Sequence, residues 1–398
     1  LLEKRIGAER LHRITGKPLS MTPALPKMAW LQENEPEIIK KTYKFLDPHA
    51  FLLYRLTGIL GTSLACADPQ GLIDMDRRSW SEELITAMGF RIDQFPELYP
   101  PGAVIGTLGK AAASATGLPA GLPLVAGAGD GQCAGLGVNA TLEKQAYLNL
   151  GTAVVAGILS KAYITDPAFR TLCAPLPDSY YLETVLKGGV FTVSWFAEKF
   201  APDLKDHASG QSSEKLLEDE AARVPPGSLG LLLVPYWNSA MSPYWDPAAS
   251  GITIGWTGAH GREHFYRAIL EGIAFEQRLM GEEVMKALGR RIERYLVTGG
   301  GSSSDLWCQI LADATGIPIQ RTQVLDSTCL GAGILAAFAM RWYPDLSAAA
   351  MAMVATEREF EPNPENQGIY ERLYTEVYRP LFPTLKSLID RLADLGRS

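Results

Sequence analysis

Three glycine-rich segments in the 398-residue chain could present backbone donors to a ligand, and one of them carries a carboxylate. Residues 129–134 read Gly-Asp-Gly-Gln-Cys-Ala, follow the short apolar run 122–126, and match the G-x-G-x-x-[GA] pattern of a dinucleotide-binding turn. Two features oppose that use. Asp130 would set a carboxylate against the pyrophosphate that the turn exists to hold, and like charges disfavour this. The acid-ended strand that should follow about 20 residues on is also missing. A carboxylate at a glycine-rich strand end can instead face a cleft and accept a proton from a substrate hydroxyl. The competing reading is that Asp130 caps a helix starting near Gln132, and the local sequence leaves both open.

Residues 150–153, Leu-Gly-Thr-Ala, lie between two predicted strands. The backbone N–H groups at Gly151 and Thr152 and the threonine hydroxyl can hold phosphate oxygens, although an ordinary hairpin turn reads the same way. Gly299, Gly300 and Gly301 follow the run Tyr-Leu-Val-Thr and precede three serines. Three successive glycines cost conformational entropy, which calls for close approach by a ligand or another backbone. Ser302, Ser303 and Ser304 supply caps and donors at a helix N-terminus, a place suited to a nucleotide. No G-x-x-x-x-G-K-[ST] occurs, which excludes a P-loop. Residues 260–264 formally read H-x-x-E-H, a zinc-peptidase pattern. Gly261 falls where the ligand helix should already be formed, and no third ligand is marked, so the segment reads as a helix beginning at about Arg262. His12, His49 and His207 are isolated and anchor no nucleophile–histidine pair.

The elements that position these residues follow from apolar rhythm. Residues 38–57 suit a helix, 122–126 a buried strand, and 146–150 and 153–159 two strands joined by a glycine turn. Beyond these come strands at 180–186, 231–234, 294–298 and 317–321, with helices at 192–200, 305–315 and 330–341. A longer helix carries Phe265, Ala268, Ile269, Gly272, Ile273 and Glu276 on one face. Residues 366–398 read as a helical segment interrupted near Pro380 and Pro383. Strands alternating with helices indicate an α/β fold with a mixed sheet. The length allows two or three domains, and the rhythm divides the chain into 1–140 and 141–398.

Composition narrows the class. A net charge of −7 without a basic cluster argues against nucleic acid as a partner. No apolar run approaches the 18 or so residues of a membrane span, and no secretory signal precedes the first element. The five cysteines are odd in number, dispersed and never C-x-x-C, which predicts free thiols in a reducing cytoplasm and no metal cluster.

Taken in order, these segments resemble the FGGY family of carbohydrate kinases over nearly the whole chain. Residues 26–37 look like its lysine, tryptophan and acidic stretch, 127–137 like the segment carrying its catalytic aspartate, and 150–153 like its second phosphate loop. Residues 264–275 resemble its second signature helix, 299–318 its adenosine segment, and 329–337 its closing small-residue helix. The resemblance implies an actin-like ATPase fold, with two ribonuclease-H-like domains around a nucleotide cleft. It implies ATP and Mg²⁺ as cofactors and transfer of the γ-phosphoryl group to a sugar or polyol. Asp130 is then the base, Gly151 and Thr152 touch phosphate, and Gly299, Gly300, Gly301 and Ser304 border the nucleoside. Gly258, in the turn before the signature helix, is a further nucleotide candidate. The first acceptor to consider is a ketopentose such as xylulose, then ribulose, glycerol or erythritol, and a homodimer is compatible. A non-catalytic sensor of sugar or nucleotide is the rival from another class.

Two departures are visible. The family's opening D-x-G-T hairpin, which holds Mg²⁺ and phosphate, has no match, so the chain is expected to lack about its first hundred family residues. On that expectation it binds nucleotide weakly and does not turn over. In 235–243, Ser239, Ala240 and Met241 stand where the family shows glycine, glutamate and arginine, and Trp256 replaces a smaller aliphatic residue.

Overall fold

A computed structural model describes residues 2–205, 210–324 and 326–396, and His207 lies outside these. The chain forms two compact units. The first comprises the chain up to Glu143 with Ile158–Glu183 and Asp326–Ala355, and the second comprises Lys144–Gly157, the stretch from Thr184 to residue 324, and the chain from Thr356 on. Among the described residues no helix is long and apolar enough to cross a membrane.

In the first unit, the predicted helix 38–57 is two helices, Pro36–Lys41 and Pro48–Thr57. Asp47 causes the break, because its carboxylate accepts the Ala50 N–H at 2.8 Å and Pro48 then occupies the first turn. The run 122–126 forms only Pro123–Val125, paired antiparallel with Val104–Thr107 in a sheet of two strands. It is not the buried strand its composition suggests: Leu122 is 41% exposed and Pro123 sits at an open edge. The small residues of 127–137 serve a contact between helices rather than between helix and strand. Asp130–Gly137 crosses Ser327–Ala339 so closely that a Cβ on Gly137 would overlap the Ser327 carbonyl, and one on Gly331 the Cys133 carbonyl.

In the second unit a mixed sheet runs in the order Thr356–Phe360, Ile319–Thr322, Arg294–Thr298, Gln145–Leu150, followed by residues 154–157 and 184–186. Arg294–Thr298 is parallel to both neighbours, while Thr356–Phe360 closes one edge antiparallel. Parallel strands need crossovers, and the helix Asp305–Thr315 supplies one, bounded by the Ser304 cap and by Gly316 at φ +68°. The helix Arg262–Leu288 buries the whole predicted face from Phe265 to Glu276. Gly272 has a specific reason to be glycine, since a Cβ there would overlap the Leu233 carbonyl.

The C-terminal segment is helical through its prolines, as Pro364–Leu373 and Arg379–Leu395. Its irregularity falls just before them, in the π-turn Tyr374–Tyr378.

Candidate active site

In the second unit, Gln145–Leu150 and Arg294–Thr298 are parallel, with Asn149 opposite Thr298. Both strands therefore end at the same level, and their following turns, 151–153 and 299–304, lie side by side. The carboxyl ends of adjacent parallel strands are where open α/β sheets bind ligands. The 151–153 turn is anchored from behind. Val190 N–H donates to the Gly151 carbonyl at 3.0 Å and Phe191 N–H to the Thr152 carbonyl at 3.2 Å, both from the first turn of the helix Val190–Phe200. The Gly151 and Thr152 carbonyls are thus engaged, whereas the N–H groups of Thr152 and Ala153 donate to no acceptor among the described residues. Two unspent amides with an exposed threonine hydroxyl suit an anionic oxygen.

The three glycines divide by physical cause. Gly299 has φ +86°, the left-handed region, and a Cβ there would overlap Asn149 Oδ1 and lie 2.9 Å from the Leu150 carbonyl. Gly301 faces the Trp307 ring, 2.6 Å from where its Cβ would be. Gly300 has no such neighbour: its φ is not left-handed, and nothing lies within 4 Å of an added Cβ. The entropy that Gly300 costs is therefore not repaid by packing inside the protein.

The serines that follow have separate duties. Ser302 and Ser303 donate back to the carbonyls of Gly299 and Gly300, at 2.7 and 2.8 Å. Ser304 accepts the Trp307 N–H at 3.0 Å and so caps the helix. Arg321, 7% exposed, holds this turn from the next strand, donating to the Ser302 carbonyl at 3.0 Å, to Asp305 at 2.8 Å and to Glu357 at 2.9 Å. Local sequence reasoning missed Arg321. Its only signal is a buried cation on a strand, with a partner known once register is known.

Gly258 is the remaining nucleotide candidate of the sequence. It lies between Ile252–Ile254 and the helix at Arg262, in a loop where Thr257 N–H donates to His260 Nδ1 at 2.9 Å and His260 Nε2 reaches the Leu229 carbonyl. Gly258 also has nothing within 4 Å of a Cβ. The H-x-x-E-H segment is the predicted helix start: Arg262 opens the helix, and His264 Nδ1 accepts the Gly261 N–H at 3.1 Å. In the loop 235–251, Ser239 has φ +70° and accepts from Lys187 Nζ at 3.1 Å, while Ala240 and Met241 are buried.

Asp130 belongs to the first unit. It is the first residue of its helix, after the capping position Gly129, so the helix begins two residues before Gln132. Its side chain is exposed and accepts the Gly131 N–H at 2.7 Å. A helix N-terminus favours a negative charge there. The loop leading to it is fixed from below, because Gly127 N–H donates to His49 Nε2 at 3.1 Å. The proton is then on Nδ1, which lies 3.3 Å from the Thr62 hydroxyl, and Thr62 in turn donates to Asp47 at 2.8 Å. Burial holds the His49 imidazole below its usual pKa and keeps it neutral for this relay. Gln132 adds a bond from Nε2 to the Ala65 carbonyl at 3.0 Å.

The chain has the two-domain α/β kinase fold of the actin-like ATPases. Models of the N-terminal and C-terminal domains of the FGGY family of carbohydrate kinases match residues 1–137 and 146–340. The chain belongs to the FGGY family and is a carbohydrate kinase that uses ATP. It is 30% identical to a xylulose kinase of Bacillus subtilis over 368 residues, covering 92% of this chain and 71% of that protein. It is 28% identical to an autoinducer-2 kinase of Salmonella choleraesuis over 389 residues, 96% of this chain and 73% of that one. A solved xylulose kinase from Lactobacillus acidophilus shares the fold with a TM-score of 0.91 at 24% identity, over 98% of this chain and 78% of that one.

Proposed function

We propose that the protein phosphorylates a hydroxyl of a ketopentose, xylulose first, with ATP as donor. The observation that carries the nucleotide part is Gly300, a glycine without an internal reason, beside a turn whose amides are unspent. The acceptor class is supported by the 30% identity to a xylulose kinase. The likeness to an autoinducer-2 kinase supports, as second reading, another small polyhydroxylated acceptor.

ATP supplies the γ-phosphoryl group when bound. The Thr152 and Ala153 amides hold phosphate oxygens beside Gly151, and Gly300 leaves the space a nucleoside needs. Gly299, Gly301 and Ser304 act through the shape of the turn. Asp130 takes the proton of the acceptor hydroxyl, on a loop that His49 keeps in place. Mg²⁺ is expected to accompany the phosphates. Among the described residues no group of three or more His, Cys, Asp or Glu side chains could hold it, and no step is assigned to it.

Coupled ADP-release assays on the full-length protein, across xylulose, ribulose, glycerol, erythritol and other polyols, test the proposal. The highest kcat/KM should fall on a ketopentose. A preference of tenfold or more for a polyol or a non-pentose would overturn the acceptor, and ADP release independent of any acceptor would overturn the transfer itself.

A further inference from the structure

We propose that Asn149 is a nucleotide-binding residue, its side-chain amide donating to a phosphate oxygen between the two strand-end turns. This rests on the ATP reading of those turns and goes beyond the glycine positions that define it. Asn149 is the penultimate residue of Gln145–Leu150, between Leu148 and Leu150, both fully buried. Its own side chain is half-buried, on the other face of the strand.

Two glycines locate that side chain. Asn149 Oδ1 occupies the volume that a Cβ on Gly299 would take, and it lies 3.4 Å from the corresponding point on Gly151. The oxygen end of the amide therefore sits at the junction of the 151–153 and 299–304 turns, which leaves the N–H₂ end as the one that can donate to a ligand. Asparagine brings two N–H donors and one acceptor to this position. Among the described residues none of them has a hydrogen-bond partner. Asparagine is disfavoured in strands, and this one, half-buried, spends no hydrogen bond inside the protein, which leaves its amide available to a ligand. The neighbouring Thr152 and Ala153 amides are unspent as well, so the donors converge on the phosphate side and not on the base.

Titration of the chain with ATP, ADP and adenosine, by calorimetry, tests this with Asn149→Ala, Asn149→Asp and Gly300→Val. Asn149→Ala should weaken ATP about tenfold, as expected for losing one bond to a charged acceptor, and leave the melting temperature unchanged because no internal bond is lost. Asn149→Asp should weaken ATP further through like-charge repulsion, and adenosine should bind all forms of residue 149 equally. ATP affinity unchanged in Asn149→Ala, with Gly300→Val weakened, would overturn the role of Asn149 and leave the nucleotide reading standing. Unchanged affinity in both would overturn the nucleotide reading together with it. A parallel loss for adenosine would transfer the bond to a ribose hydroxyl and overturn the phosphate assignment. A loss of affinity accompanied by a fall in melting temperature would make the role structural.

Discussion

Gly300→Val separates a ligand contact from a packing contact, because the protein itself leaves room for the new side chain. Nothing lies within 4 Å of the Cβ position and the backbone is not left-handed, so neither a clash nor strain is introduced. A short turn bearing a β-branched residue loses at most about 1 kcal/mol of propensity, and removal of a glycine from the unfolded ensemble returns about 0.4–1 kcal/mol. Stability should therefore change by less than about 1 kcal/mol. The two methyl groups project into the open space beside the turn, where the nucleoside is proposed to lie. Displacing it by even one carbon diameter forfeits a hydrogen bond or its packing equivalent, about 1.5–3 kcal/mol, which is roughly 10- to 100-fold in apparent KM for ATP. The KM for the acceptor should stay within about twofold. Flanking controls should behave oppositely: Gly301→Ala meets the Trp307 ring at 2.6 Å and Gly299→Ala is forced to φ +86°, so both should cost about 1–3 kcal/mol of stability. Initial rates with each substrate varied, beside thermal melts, measure all of this. If Gly300→Val raised both KM values equally, or lowered the melting temperature as the flanking variants do, Gly300 would be a packing glycine and the nucleotide would lie elsewhere.

In the full-length protein, Asp130→Asn should lower kcat by about 10²–10⁴, the range of a positioned base, with little change in ATP affinity; acceptor-dependent ADP release near the wild-type rate would remove Asp130 from proton transfer. Arg321→Met frees the carbonyl of Ser302 and the Asp305 carboxylate, and should raise the KM for ATP about tenfold with kcat at saturation retained, whereas an equal loss in kcat would point to collapse of the sheet edge. Burial pushes the Glu276 carboxyl up from 4.5 to about 7, although Tyr236 and Tyr378 donate to it at 2.9 and 2.6 Å. The folded state then keeps a proton that the unfolded chain has released, so this group's contribution is fully present below about pH 4.5 and is lost as pH rises through 7. The loss is on the order of 3 kcal/mol at about 1.4 kcal/mol per pH unit. Urea melts between pH 5 and 8 should show that decline in the wild type and not in Glu276→Gln.

Which parts of the fold and site were legible depends on the range of the interaction that decides them. The strand Arg294–Thr298 and the helix Asp305–Thr315 fall at their predicted bounds because β-branched runs, a serine cap and a terminal glycine are all signals within a few residues. The helix 38–57 was misjudged where a local signal was outvoted by apolar spacing, although Asp47-Pro48 is itself a start signal. The strand 122–126 was misjudged for another reason, since burial depends on how many strands join a sheet, and composition does not record that. The same limit applies inside the site. Three adjacent glycines look equivalent in sequence, yet two answer to Asn149, Leu150 and Trp307, and those neighbours come from another strand and from the helix beyond the turn. Arg321 and His49 act on backbone groups 19 and 78 positions away. A turn made of small residues carries too few side-chain contacts to hold its own shape. Its geometry has to be imposed by buried polar side chains from neighbouring elements, so the residues that make such a site precise are those whose types and local spacing give no sign of it.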